Sequence, residues 1–113
     1  MTAYELLRRP TDDPALVLVD VTGELDLTNA HELEERLETL SEPNGARLVL
    51  DLNRVVFVDS AALHVLFRIA RRLGPERFVL ALEPSAAVAR TLAIAGISEV
   101  ATIGGSAETP RES

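Results

Sequence analysis

The chain has 113 residues, a length suited to one small domain. Hydrophobic residues make up 47% of it but aromatics only 4%, so any core must be aliphatic. The net charge is −7, all 11 bases are arginine and cysteine is absent; this argues against a binder of nucleic-acid backbone and excludes disulfides, thiolate metal sites and a cysteine nucleophile.

Residues 2–9, with Tyr4, Glu5, Leu6 and Leu7, suit an edge strand. Pro10, Thr11, Asp12, Asp13 and Pro14 are turn formers that break the chain. Residues 15–21 are β-branched and almost continuously apolar, as in a strand covered on both faces. The proline-flanked turn allows these two segments to pair as a hairpin. Gly23, Glu24, Leu25 and Asp26 are expected to end the second strand. Ala30, Leu33, Leu37 and Leu40 then recur at helical spacing. Thr28 or Asn29 is expected to cap that helix, with Asn29 and Glu32 forming a capping box. Glu32, Glu34 and Glu35 occupy its first turns, where the helix dipole favours anions. Glu32 and Arg36 are spaced for an ion pair. The acidic cluster is read as a solvated face rather than a metal site.

Residues 41–45 form a turn and 47–52 a second buried strand. Residues 55–58 continue apolar into a junction at Asp59 and Ser60. Beyond it, Leu63, Leu66, Phe67, Ala70 and Leu73 predict a second helix, with Arg71 and Arg72 at the negative end of its dipole. Gly74 and Pro75 stop it. Residues 78–82 are a third buried strand. Pro84 and Ser85 open a third helix, with Ser85 as its cap, Val88, Leu92 and Ala95 facing inward, and Gly96 at its end. Residues 99–103 suit a short last strand. Residues 104–113 are polar and carry glycines and a proline, as a disordered tail does. The expectation is a single α/β domain over residues 1–103, a mixed sheet of four to five strands with helices packed on it, and a tail over 104–113.

The order strand-then-helix occurs three times, which is the usual route to parallel pairing. Parallel strands align their C-terminal ends along one edge, where open α/β sheets place their sites. Asp26, Thr28, Asn29, Asp59, Ser60 and Ser85 are therefore expected to form one polar patch.

Asp59, Ser60 and His64 contain the side-chain types of a hydrolytic triad, and Ser60 and His64 are one helical turn apart. Asp59, however, adjoins Ser60 and is badly placed to orient His64. No Gly-x-Ser-x-Gly elbow or oxyanion hole is visible, so an enzyme is not expected. His31 and His64 are the only histidines and show no ligand spacing. The glycines match no phosphate-cradling motif. No cofactor or metal is expected. No apolar run nears the ~20 residues of a membrane span, and no secretion signal is visible, so no membrane insertion and a cytoplasmic location are expected. A serine before a helix is an ordinary N-cap, contributing about 1 kcal/mol; Asp26 and Ser85 have the same turn-or-cap explanation.

With these residues in hand, the chain resembles anti-sigma factor antagonists of the STAS family. Gly23, Glu24, Leu25 and Asp26 followed by Thr28 and Ala30, the strand at 48–52, the block from Val58 through Asp59, Ser60, Ala61, Ala62, Leu63, His64 and Val65 to Leu66, and Pro84 and Ser85 with Val88, Leu92, Gly96 and Ile97 carry the likeness. It spans about residues 4–103. The resemblance implies a protein that binds an anti-sigma factor with serine kinase activity and so releases a sigma factor. It implies that the kinase phosphorylates the serine after the motif's aspartate, here Ser60, and that a phosphatase reverses this. ATP or ADP would belong to the kinase. Asp26, Thr28, Asn29, Asp59, Ser60, Ala61, His64 and Ser85 would be partner contacts. An alternative within the family is a non-switching subunit of a larger assembly, in stress sensing or lipid transport. The family often has Ser or Thr and then Gly after the switch serine. Ala61 and Ala62 stand here instead, which is expected to limit a partner's approach, and His64 adds bulk one turn on.

Overall fold

Apolar, β-branched runs become the middle of a sheet. A computed structural model describes residues 3–42 and 45–104. Strand β1 (Tyr4–Arg9) pairs antiparallel with β2 (Leu16–Leu25), with Tyr4 opposite Gly23 and Arg9 opposite Leu18. Strands β3 (Arg47–Val58), β4 (Phe78–Ala81) and β5 (Thr102–Gly104) continue the sheet in parallel, in the order β1-β2-β3-β4-β5. Helices α1 (Ala30–Leu40), α2 (Ser60–Leu73) and α3 (Ala89–Ala95) return the chain between the parallel strands, and a 3-10 turn (Ile97–Glu99) precedes β5. This is the mixed α/β sheet expected.

Leu33 and Leu37 of α1 and Val65, Leu66 and Ile69 of α2 meet Val17, Val19, Leu48, Leu50 and Leu52 of the sheet in one core. Val88, Leu92 and Ile97 join the same core, so all three helices serve one face. Leu18, Val49, Val79 and Ala81 form a smaller apolar cluster among the alternate strand positions.

The elements differ from expectation where backbone chemistry overrides pattern. Gly23 does not end β2, which runs to Leu25. Its φ is +98°, and a Cβ there would strike the carbonyl of Ala3, so the glycine lets β1 approach closely. The two segments on either side of Asn53 are one strand. β3 carries two extra residues relative to β2, because Asp20 faces Asp51 but Thr22 faces Arg54, and Gly23 faces Val55 but Glu24 faces Phe57. At the first bulge, the Asp51 carboxylate accepts the backbone N–H of Asn53 at 3.0 Å and its side-chain amide at 2.9 Å.

Ser85 does not cap α3. The chain makes turns from Glu83 to Val88, with Ala86 N–H on the Glu83 carbonyl, and the helix starts at Ala89 with Val88 as its N-cap. Ala95, expected inward, is exposed. Glu99 lies in the 3-10 turn rather than in the last strand, because the N–H groups of Val100 and Ala101 bond back to the Ile97 carbonyl. Gly104 belongs to β5, and its carbonyl accepts the Leu82 N–H at 2.6 Å. The rest of the expected tail, and Pro43 and Asn44 of the expected turn, lie outside the described residues. On α2 the inward face is centred on Ala62, Val65 and Ile69, while Leu63, Phe67 and Leu73 flank it half-buried.

Candidate functional site

β2 and β3 end level, with Leu25 opposite Val58. The Asp59 N–H donates to the Leu25 carbonyl at 3.1 Å, which carries the pairing one residue further. The two strand-to-helix turns therefore leave the sheet side by side. Asp59 has an extended backbone (φ −102°, ψ −175°) and is the N-cap of α2. One carboxylate oxygen accepts the Ala62 N–H at 3.0 Å and the other accepts the Leu27 N–H at 3.0 Å. A single carboxylate thus caps one helix and holds the turn that leads into another, through bonds strengthened by its charge.

The 26–29 turn is closed from within. Asp26 accepts the Thr28 N–H at 3.0 Å and its hydroxyl at 2.6 Å. Asn29 accepts the Asp26 N–H at 3.0 Å and donates to the Glu24 carbonyl at 2.9 Å. Asn29 is buried, and its side chain makes no cap bond to α1. The expected capping box is absent because the amide is committed to the turn.

Ser60 is the first residue of α2, not its cap. It is exposed, and its hydroxyl makes no hydrogen bond among the described residues. It stands at the positive end of the helix, where the first N–H groups lack intrahelical partners. His64 is exposed one turn further on. Ala61 is half-buried against the core, and Ala62 is fully buried. The Ala62 methyl group therefore packs inside the domain, and the extra bulk relative to glycine is not presented to a partner. The expectation that it limits approach is corrected on that ground. Both Asp59 oxygens are taken by backbone N–H groups rather than by His64, so the triad arrangement is not formed.

Ser85 is set apart from the other site residues. β4 ends at Ala81 opposite Asp51, seven residues before Val58. The same stretch is matched by five residues of β2, Asp20 to Leu25, and so measures ~17 Å, more than the ~14 Å that the four residues from Ala81 to Ser85 can span. Asn53 anchors this turn to mid-strand, accepting the Glu83 N–H at 2.7 Å. Two of the three turns converge and the third is held back, because β4 has four residues where β3 has 12.

Three apolar residues near the junction were not legible as site residues. Leu27 is 76% exposed, Val56 60% and Phe57 49%. The neighbours Val55 and Val58 are buried. Two adjacent outward side chains break strand alternation, and the second bulge explains them; the one available sequence signal for Leu27 was its place as a lone apolar residue in a polar turn.

Behind the site, Arg68 of α2 donates two 2.8 Å bonds to Glu34 of α1. The hydrogen-bonded guanidinium holds the Glu34 carboxyl below its usual range. Glu32 and Arg36, expected to pair, instead meet at Tyr4, whose hydroxyl donates to Glu32 at 2.8 Å and accepts from Arg36 at 3.5 Å. These contacts tie α1 to α2 and to β1.

The sequence matches the STAS domain family over residues 8–109. Over 63 residues it is 32% identical to the anti-sigma-F factor antagonist RsfB of Mycobacterium tuberculosis, a match covering 56% of this chain and 52% of that protein. The matched region thus spans about half the length of this curated relative. The fold is similar to that of an anti-sigma factor antagonist from Mycobacterium paratuberculosis, with a TM-score of 0.79 and 24% identity over 94% of this chain and 89% of that one. It is also similar to the Bacillus cell fate determinant SpoIIAA in its phosphorylated form, with a TM-score of 0.60 and 20% identity over 90% and 91% of the two chains. No helix among the described residues is long and apolar enough to cross a membrane.

Proposed function

The chain belongs to the STAS domain family, and on that premise we propose that it is an anti-sigma factor antagonist switched by phosphorylation of Ser60. Its partner is an anti-sigma factor with serine kinase activity, met in the cytoplasm. Binding frees a sigma factor, phosphorylation of Ser60 breaks the complex, and a serine phosphatase restores it. The relative RsfB is named an anti-sigma-F factor antagonist, and the structural neighbour SpoIIAA takes a phosphorylated form; both support this reading.

The observation that carries it is the division of labour at the junction. Asp59 does the capping, and the exposed Ser60 hydroxyl has no hydrogen bond among the described residues. A phosphate there adds about −1.5 to −2 charges. The helix N-terminus tolerates that anion, so the domain keeps its fold. A docked surface meets the new charge and bulk beside Asp59 and Asp26. Asp26, Thr28, Asp59, Ala61 and His64 flank the docking point, the buried Asn29 shapes the turn from inside, and Ser85 marks a separate edge.

The test is a pull-down of a serine-kinase partner from native extract with ADP and with ATP, followed by intact-mass measurement. Retention with ADP, and release with one phosphate mapped to Ser60 with ATP, is the expected result. Ser60→Asp abolishes binding while the domain stays folded. If Ser60→Asp and Ser60→Ala both bind like wild type, the switch is wrong. A stable complex indifferent to nucleotide points instead to a non-switching subunit of a larger assembly.

A further inference from the structure

We infer that Leu27, Val56 and Phe57 form an apolar anchor beside Ser60, built to receive an aliphatic or aromatic side chain flanked by arginine or lysine on the kinase partner. The identity of that partner rests on the function proposed above. Single exposed apolar residues are ordinary on protein surfaces and need no explanation. These three are distinguished by how they are held.

Leu27 is the most exposed large apolar side chain named in the fold, yet its backbone is fixed by the Asp59 carboxylate and by the closed turn around Asp26 and Asn29. Val56 is the extra residue of the second β3 bulge, and Phe57 follows it, opposite Glu24. Bulges re-aim side chains beside functional sites. Here the bulge leaves a valine and a phenylalanine both outward, separated from Asp59 only by the buried Val58. Anchors on rigid backbone lose little freedom on binding, which favours affinity. Protein interfaces concentrate their energy in such apolar centres with a charged rim.

The rim is acidic. Glu24 faces Phe57 across the strands, and Asp26 and Asp59 hold the turn that bears Leu27. Exposed Arg54, opposite Thr22, bounds the patch on its mid-strand side; toward the junction no arginine occurs between residues 20 and 35 or between 55 and 67. Charge complementarity therefore selects a basic frame around the incoming side chain. A second copy of this chain, with its net charge of −7, would bring the same acids to the contact.

The test uses full-length protein and the purified kinase recovered with wild type, titrated in ADP. Leu27→Ser and Phe57→Ser each weaken binding by about tenfold or more, as loss of an interface anchor does. Ile94→Ser, at a residue 74% exposed on α3, changes it by less than about twofold. Wild-type affinity falls as salt rises. If both anchor variants bind within about twofold of wild type while Ser60→Asp abolishes binding, the anchor is wrong and the switch stands. Equal losses in Ile94→Ser also overturn it, as does sedimentation showing that the anchor variants abolish a homodimer instead. If wild type binds no kinase, both readings fall. Should Phe57→Ser unfold the domain, Leu27→Ser decides, since its side chain stands outside the sheet.

Discussion

The Asp59 carboxylate and the Leu27 backbone N–H, 32 positions apart in sequence, are joined by a 3.0 Å hydrogen bond. The same carboxylate caps α2 through Ala62. Asp59→Ala removes both bonds at once. We expect a loss of about 1–2 kcal/mol, which lowers the melting temperature of a domain this size by about 5–10 °C. Asp59→Asn, which keeps one acceptor oxygen, loses less. Amide exchange at Leu27 accelerates in both. Calorimetry and hydrogen exchange read these outcomes.

Ser60 is not the cap of α2, and its side chain makes no hydrogen bond among the described residues. Ser60→Ala is therefore expected to change stability by less than about 0.5 kcal/mol. Ser60→Asp is neutral or slightly stabilising, because an anion suits a helix N-terminus. Urea unfolding distinguishes this from a capping serine, whose loss costs about 1 kcal/mol.

Gly23→Ala places a methyl group against the Ala3 carbonyl and forces a left-handed backbone on alanine. A cost above about 2 kcal/mol is expected, with β1 loosened first. Faster exchange of β1 amides and a lower urea midpoint are the readouts.

Tyr4 is the single tyrosine, and tryptophan is absent, so near-ultraviolet absorbance reports its ionisation alone. Burial, and then the hydrogen bond to Glu32, raise its pKa above 10.0, while Arg36 opposes them. Glu32→Gln is expected to lower that pKa and Arg36→Ala to raise it. A raised folded value means that this contribution to stability is intact below pH 10 and is lost as pH rises through the folded value.

Glu34 has the opposite sign. The Arg68 hydrogen bonds depress its pKa below 4.5, so the contribution is present above that value and lost as pH falls through the folded value. Acid unfolding of Arg68→Ala is expected to show a shallower pH dependence than wild type over about pH 5 to 3. The pair is partly exposed and its effect weakens with salt.

Much of the scaffold was legible because its signals are local. The runs around Val17, Leu48 and Val79 are strands, the Leu33 and Leu37 stripe is a helix, and the proline-flanked turn joins a hairpin. The Asp59 and Ser60 junction is legible for the same reason, as an apolar run that stops where a helical stripe begins. What the sequence does not show depends on how the backbone turns and which strands register. Asn29 suits a cap and a turn equally by residue type, and the path of the 24–29 backbone decides for the turn by placing the Glu24 carbonyl and the Asp26 N–H within its reach. Ser85 was expected at the junction because strand order was legible and strand length was not. The apolar exposure at Val56 and Phe57 follows from register against β2, which no single-strand pattern contains.

The two extra residues of β3 give slack to a strand that otherwise behaves like a reading frame. Side chains alternate with a period of two, so a one-residue change reverses every position beyond it. A bulge absorbs such a change. Deleting Val56 would remove the second bulge and leave Val55 inward, Phe57 outward and Val58 inward, opposite Gly23, Glu24 and Leu25 as before, so Asp59 stays at Leu27. A deletion in the regular stretch from Leu48 to Asp51 has no such slack. The segment from Leu52 to Phe57 is therefore where β3 accepts a single-residue change in length, and Val56 is kept there for the side chain it presents rather than for the register it sets.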